Sequence, residues 1–322
     1  MRAPSFWRHR GVVARLLAPL GALYSLSVAL KARLAKPYRA PMPVLCVGNL
    51  TAGGSGKTPV AIALAEMLKA RGRRPVFLSR GYGGKEHGPA RVKPHHTARL
   101  MGDEPLLLAR AAPVIVSRDR AIGAALATDE QADIIIMDDG FQNFALAKNL
   151  SLVVIDGIAG MGNGLVIPAG PLRETVAQGL ARADAVIIMG GAGKRAPGIA
   201  ELDDFTGPII HAYLEPLPNE LAGRKVFAFA GIGRPQKFFD TLRNIGAFVE
   251  GTQSYADHYF YKPEDLAALQ SQARLKGAQL VTTEKDLVRI EAARREGIAA
   301  LAVRERFEDP AAVERLLDRI AP

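Results

Sequence analysis

Residues 51–58, Thr51-Ala52-Gly53-Gly54-Ser55-Gly56-Lys57-Thr58, combine small residues, a cation and a hydroxyl in an order that suits wrapping a polyphosphate. The glycines let backbone N–H groups turn inward on the phosphates. In such a loop Lys57 reaches the β- and γ-phosphates, and Thr58 offers its hydroxyl to Mg²⁺. Thr51 stands where the general pattern has its first glycine, so the strict pattern fails by one residue. A Gly-rich turn alone would not need Lys-Thr behind it. Two acid pairs accompany the loop. Asp138-Asp139 ends the apolar run Ile134-Ile135-Ile136-Met137, where a carboxylate beside a phosphate loop would hold Mg²⁺ directly or through water. An Asx turn would explain one acid there but not two. Asp103-Glu104 precedes Pro105 at a helix start. Capping needs only one acid, so the second calls for another role. His258 follows Asp257 on a loop, and the bare spacing makes it a surface residue. His87, His95 and His96 lack matched carboxylate or cysteine spacing and read as solvated.

These groups need elements to hold them. Val44-Leu45-Cys46-Val47 reads as a buried strand before the loop, and Val60 to Leu68 as the helix after it. That helix adds its positive dipole end to the phosphate site. Further apolar strands are expected at 75–78, 114–116, 134–137, 152–155 and 185–189, alternating with helical stretches. This pattern predicts an α/β fold, P-loop NTPase-like, with a doubly wound, mostly parallel sheet. Ligands then belong at the carboxyl ends of the strands, where the quoted motifs fall. A second strand-helix series begins near Val226, which predicts a second, smaller α/β domain. The expected division is a basic apolar N-terminal helix and linker over 1–40, a P-loop domain over 41–207 and the smaller domain over 208–322. The polar stretch from Gly84 to Thr97 is either a lid or a surface excursion.

The 322 residues are 48% hydrophobic, ample for a core, and carry a formal net charge of +10, which suggests an anionic partner. Aromatic content is 6%, without a nucleic-acid-binding motif, so nucleic acid is not the expected partner. Cys46 is the one cysteine, which rules out an internal disulfide and reads as a core residue. No Asp or Glu occurs before Glu66, while Arg2, Arg8, Arg10, Arg15, Lys31, Arg33, Lys36 and Arg39 do. Gly11 to Leu30 is nearly all apolar, broken by Arg15 and Pro19. Its uninterrupted part, Leu16 to Leu30, is shorter than the roughly 20 residues a spanning helix needs. An interfacial helix on an anionic leaflet is therefore expected, with Arg8, Gly11, Arg15, Ala18, Ala22 and Ser25 on one face. A signal peptide would need a small-residue cleavage site, which is missing. A helix packed in the core, or a short spanning helix, would also be compatible with the apolar run.

Taken together, these motifs resemble the tetraacyldisaccharide 4′-kinase family of lipid A biosynthesis. The resemblance rests on the stretch from Gly48 to Pro59, Ser79-Arg80-Gly81-Tyr82-Gly83, Gly102-Asp103-Glu104-Pro105 and Asp138-Asp139-Gly140-Phe141-Gln142. It continues through Pro168-Ala169-Gly170-Pro171-Leu172-Arg173-Glu174, Asp257-His258 and Thr283-Glu284-Lys285-Asp286. It implies an ATP- and Mg²⁺-dependent kinase acting on the 4′-hydroxyl of a tetraacylated, 1-phosphorylated glucosamine disaccharide. It also implies a peripheral, monotopic enzyme at the cytoplasmic face of the inner membrane, and a C-terminal domain closing over the site. Asp103 then looks like the base, His258 its partner from the second domain, and Asp139 a further catalytic acid. Thr58, Glu104 and Asp138 match metal positions. Arg80, Tyr82, Arg120, Gln142, Arg173 and Glu174 are expected at the substrate. The family motif usually ends in His where this chain has Asn143. No obligate protein partner is inferred.

Two other classes fit less well. A metal-cluster or switch ATPase would carry a second lysine early in the loop, and that position is Ala52. A GTPase would show Asn-Lys-x-Asp, which Thr283-Glu284-Lys285-Asp286 does not match.

Overall fold

The computed structural model describes residues 4–190 and 202–321. In chain order the elements of the larger lobe are α1 (Val12–Leu34), β1 (Val44–Gly48), α2 (Lys57–Ala70), β2 (Pro75–Ser79), β3 (Ala90–Arg91), α3 (Ala98–Met101) and α4 (Asp103–Leu108). They continue with β4 (Val114–Val116), α5 (Arg120–Thr128), β5 (Ile134–Asp138), β6 (Leu150–Asp156), α6 (Val176–Leu180), β7 (Ala185–Met189) and β8 (Ile209–Pro216). The chain then builds β9 (Lys225–Ala230), α7 (Pro235–Asn244), β10 (Phe248–Ser254), α8 (Pro263–Leu275), β11 (Gln279–Thr283), α9 (Glu284–Leu287) and β12 (Ile298–Leu301). It ends with β13 (Val303–Phe307) and α10 (Pro310–Asp318).

The large sheet has the order β13-β8-β7-β6-β1-β5-β2-β4-β3. From β8 to β4 all neighbours are parallel, and β13 and β3 are antiparallel edges. The central strands are buried along their whole length, as strands covered on both faces must be. One face packs on α2 and α10 through Leu64, Leu68, Leu316 and Leu317. The other packs on α5, α6 and the connections on either side of β6 through Ala124, Leu180, Phe141 and Leu172. Strand addition reverses at β1, so the phosphate loop sits at the switch point, flanked by the ends of β5 and β6. Cys46 is fully buried in β1, and burial pushes its thiol up to about 11. The smaller lobe is a parallel sheet of order β10-β9-β11-β12.

The expected boundary at residue 207 falls one strand early. β8 extends the large sheet beside β7, and the chain returns to that sheet through β13 and α10 after completing the smaller lobe. β8 is only half-buried and carries His211 and Tyr213 between its apolar residues, so it lacks the apolar run that marks the other strands. The stretch 84–97 is a surface excursion, tied down by β3 against β4.

The N-terminal helix is longer than the apolar run between its basic residues, and Pro19 lies inside it. Its protein-facing side is made of Ala14, Gly21 and Ser25. Of the face expected from the sequence, only Ser25 is buried. Gly21 is needed for close approach, since a Cβ there would lie 2.6 Å from the Val166 carbonyl oxygen. Ser25 Oγ donates to Gln178 Oε1 at 3.0 Å. Six of the seven leucines of α1 are exposed and Leu17 is half-buried, so this helix is not one packed in the core.

Candidate active site

The phosphate loop joins β1 to α2. Gly53 and Gly56 take φ values of 125° and 91°, a left-handed region that side-chain-bearing residues avoid. Among the described residues, the N–H groups of Gly54, Ser55 and Gly56 donate to no carbonyl. Unpaired N–H groups ahead of a helix start form an anion cradle. The loop is fastened beneath: Ala52 N–H donates to the Pro171 carbonyl, and Arg173 N–H to that of Leu50.

Asp138 closes β5, in register with Val47 of β1. Thr58 Oγ1 lies 3.4 Å from Asp138 Oδ2. Asp138 Oδ1 is buried with no hydrogen-bond partner among the described residues. Burial pushes this carboxyl up to about 7, helped by the nearby charge of Glu104 and opposed by Lys57. An orphaned carboxylate oxygen beside a threonine hydroxyl and a second carboxylate is a donor set suited to a hard cation. No cluster of three such ligands is preformed among the described residues. Mg²⁺ does not require one, because it keeps waters and phosphate oxygens in its shell.

Asp139 has φ 52° and sits between two cations. Arg173 grips it at 2.9 and 3.2 Å, and Lys57 Nζ lies 3.6 Å away. Burial would raise this carboxyl, but Lys57 and Arg173 bring it below the usual carboxylate range. Gln142 Nε2 donates to the Asn49 carbonyl and to Glu174 Oε1, and Glu174 also pairs with Arg182. Glu174 is thus buried beneath the loop. Arg120 is buried as well, donating to the Ser117 carbonyl under the charges of Asp138 and Asp139, and burial lowers it to about 10. Arg80 and Tyr82 are exposed, and the Tyr82 ring stands edge-on to His258 at 5.6 Å. Asn143 Oδ1 accepts the Ala145 N–H and so shapes its own turn.

Asp103 opens α4 in the larger lobe, and His258 lies on a loop of the smaller one. His258 Nδ1 and Asp103 Oδ2 are 3.0 Å apart. His258 adopts φ 58°, held by its N–H bond to the Gly231 carbonyl. Backbone in this region costs about 1–3 kcal/mol and persists where surrounding contacts enforce it. Lys285 Nζ lies 3.2 Å from Glu104 Oε1. Arg289, fully buried, donates from Nε to Asp103 Oδ2 at 2.8 Å and from Nη2 to the same oxygen. Burial would raise the Asp103 carboxyl. The His258 hydrogen bond and the charges of Lys285 and Arg289 instead hold it far below the usual range. Arg289 carried no expectation from the sequence. Its one local signal is a lone cation within Leu287-Val288-Arg289-Ile290.

The phosphate cradle, the strand-end acids and the inter-lobe Asp–His pair thus lie along the carboxyl edge of one sheet. Such an arrangement can bind a nucleotide triphosphate with its metal and take a proton from an acceptor hydroxyl. A family model described as tetraacyldisaccharide-1-P 4′-kinase matches residues 13–321. A tetraacyldisaccharide 4′-kinase of Paramagnetospirillum magneticum is 51% identical over 324 residues, covering 99% of both chains. One from Rhodospirillum rubrum is 50% identical over 326 residues, covering 99% of this chain and 98% of its own. The crystal structure of LpxK from Aquifex aeolicus in complex with ATP superposes with a TM-score of 0.77 at 29% identity. It covers 97% of this chain and 100% of that one.

Proposed function

The chain belongs to the tetraacyldisaccharide 4′-kinase family and uses ATP with Mg²⁺ to phosphorylate the 4′-hydroxyl of a lipid A precursor, and from that premise we propose how its residues divide the work. The loop from Thr51 to Thr58 cradles the polyphosphate, with Lys57 on the β- and γ-phosphates. Thr58, Asp138 and Glu104 would hold Mg²⁺, which would supply neutralisation of the phosphate charge. The acceptor oxygen bonds to the γ-phosphorus as the bond from that phosphorus to the β–γ bridging oxygen breaks. ADP leaves, and the hydroxyl proton passes to the Asp103–His258 pair.

The observation that carries this reading is the 3.0 Å contact between Asp103 and His258 across the lobes. A sugar hydroxyl is too weak an acid to ionise before attack, so a positioned acceptor is required. Supplying it from two lobes ties chemistry to closure. Asp139 holds Lys57 and Arg173 until phosphate arrives. Tyr82, exposed beside His258, and exposed Arg80 face the disaccharide. Gln142, Arg173 and Glu174 support the loop from below, and buried Arg120 acts on the substrate only through the field it sets at Asp138 and Asp139.

Localisation at the cytoplasmic face of the inner membrane is supported by α1. The helix is 23 residues long and apolar enough to cross a membrane. Its Ala14–Gly21–Ser25 side is docked on the protein, while Leu16, Leu20, Leu23, Leu26 and Leu30 point outward. A helix with the protein packed along one side suits the membrane interface better than the bilayer interior. The substrate's acyl chains would remain in the same leaflet.

The direct test is transfer of labelled γ-phosphate from ATP to tetraacyldisaccharide 1-phosphate by the full chain and by Asp103→Asn and His258→Gln. The wild type should transfer label to the 4′-position, and each variant should lose about 10²–10⁴-fold in kcat. Near-normal rates in both variants would remove the pair from the mechanism.

A further inference from the structure

Asp103 is more thoroughly engaged than a free-standing base would be. Oδ2 accepts from His258 Nδ1 and from both Nε and Nη2 of Arg289, with Lys285 Nζ at 3.9 Å. Oδ1 accepts the Glu104 N–H at 3.1 Å. Arg289 is anchored in turn by the smaller lobe. Its Nη1 donates to Asp286 Oδ1 at 2.9 Å and to the Gly231 carbonyl at 2.7 Å. That carbonyl also receives the His258 N–H at 3.1 Å. Asp286 is fully buried and is fixed by Tyr261 OH, Thr283 Oγ1 and the Gly231 N–H. One guanidinium therefore holds the side chain of Asp103 and the backbone support of His258 together. Those two residues are 155 positions apart in sequence.

We propose that Arg289 is a positioning residue of the phosphoryl transfer: it carries Asp103 Oδ2 to His258 Nδ1 as the smaller lobe closes, so that His258 Nε2 faces the acceptor hydroxyl. The inference rests on the reading of Asp103 and His258 as the proton-accepting pair. The geometry fixes the direction of the hydrogen bond. An ionised carboxylate can only accept, so Nδ1 carries the hydrogen. In the neutral ring the lone pair then lies on Nε2, as in other carboxylate-oriented imidazoles. The charged and titratable groups facing the pair are Arg289, Lys285, Glu104, Asp257 and Tyr82. Asp257 Oδ1 lies 3.9 Å from Nε2, too far to occupy it.

The planar fork is essential to this role. Nε and Nη2 serve Asp103 while Nη1 serves the other lobe. Lysine keeps the charge but cannot make that set of bonds at once. Misplacing a reacting group by about 1 Å can cost about 10²-fold. Arg289→Lys should therefore lower kcat about 10- to 100-fold, with KM for ATP within about twofold of wild type.

The test measures kcat and KM for Arg289→Lys, Asp103→Asn and the double variant, using ATP and tetraacyldisaccharide 1-phosphate. If Arg289 acts through Asp103, the lysine substitution should cost almost nothing further in the Asp103→Asn background. A structural role alone would give the same fold-loss in both backgrounds. Arg289→Gln is the second variant, expected to lose more than Arg289→Lys while retaining a cooperative thermal transition. Wild-type kcat for Arg289→Lys, or multiplicative losses in the double variant, would overturn the positioning role. Undiminished turnover in Asp103→Asn and His258→Gln would instead overturn the reading on which it rests.

Discussion

Replacing Leu16, Leu23 and Leu30 together by serine separates membrane attachment from folding. These side chains are 74%, 64% and 53% exposed, and they lie off the Ala14–Gly21–Ser25 face that docks α1. Burying a whole leucine is worth about 1.5–3 kcal/mol. Scaled by the exposed fractions, the three contribute about 3–6 kcal/mol of membrane affinity. That corresponds to about 10²–10⁴-fold in partitioning. The basic residues in and around α1 add about 1 kcal/mol each near an anionic surface. Salt at about 1 M shortens the screening length to about 3 Å and suppresses that share. The assay is co-sedimentation with phosphatidylglycerol–phosphatidylethanolamine vesicles at low and high salt. Wild type should retain a salt-resistant bound fraction, and the triple variant should lose it. Turnover of detergent-dispersed substrate should be little changed, because no catalytic group touches these leucines. Equal sedimentation of variant and wild type at high salt would refute the assignment of this face to lipid.

Lys57→Ala should abolish phosphoryl transfer while leaving the thermal transition nearly unchanged, since its pairing with Asp139 is shared with Arg173; retained turnover would remove the loop from the mechanism. Asp103→Asn combined with His258→Gln should be scarcely slower than the poorer single variant, because paired residues acting as a unit are non-additive. Measured kcat values that multiply would mean the two act independently. Glu305 in β13 is buried with both carboxylate oxygens unpartnered among the described residues, and burial pushes it up to about 8. Below its unfolded pKa of about 4.3 the neutral acid is accommodated in both states. As pH rises from about 4.3 to about 8 the folded protein loses that stability, because the unfolded chain releases the proton first, and the loss is complete near the folded value. Glu305→Gln should flatten the fall in Tm across this window and stabilise the protein at pH 8 by about 1–3 kcal/mol. An unchanged Tm–pH profile in that variant would show that Glu305 is not the titrating group.

The phosphate loop and the acids at the end of β5 were legible because their chemistry depends on neighbours in sequence. Gly-Lys-Thr after an apolar strand dictates a turn, a cation and a helix start within a few residues. Asp138 follows an apolar run whose burial forces it to the strand's end. The family motifs extended this to His258, which its own surroundings in sequence left as a surface residue. Other features were illegible locally. β8 alternates His211 and Tyr213 with apolar residues and gives no buried-strand signal, yet it carries the large sheet past the expected boundary at 207. The buried side of α1 is made of small residues, where a search for an apolar stripe does not look.

What the sequence determined alone was the phosphate-loop motif, the acid pairs and the strand and helix periodicity that places most of them at one edge of a parallel sheet. Those properties follow from side-chain chemistry and from spacings of a few residues. What the tertiary structure decided was which groups meet. Arg289 reaches Asp103 across 186 positions, and no periodicity encodes that distance. The contact forms because the smaller lobe packs α9 against α4. It is the burial there that makes an unpaired Asp103 or Arg289 costly and holds the two together.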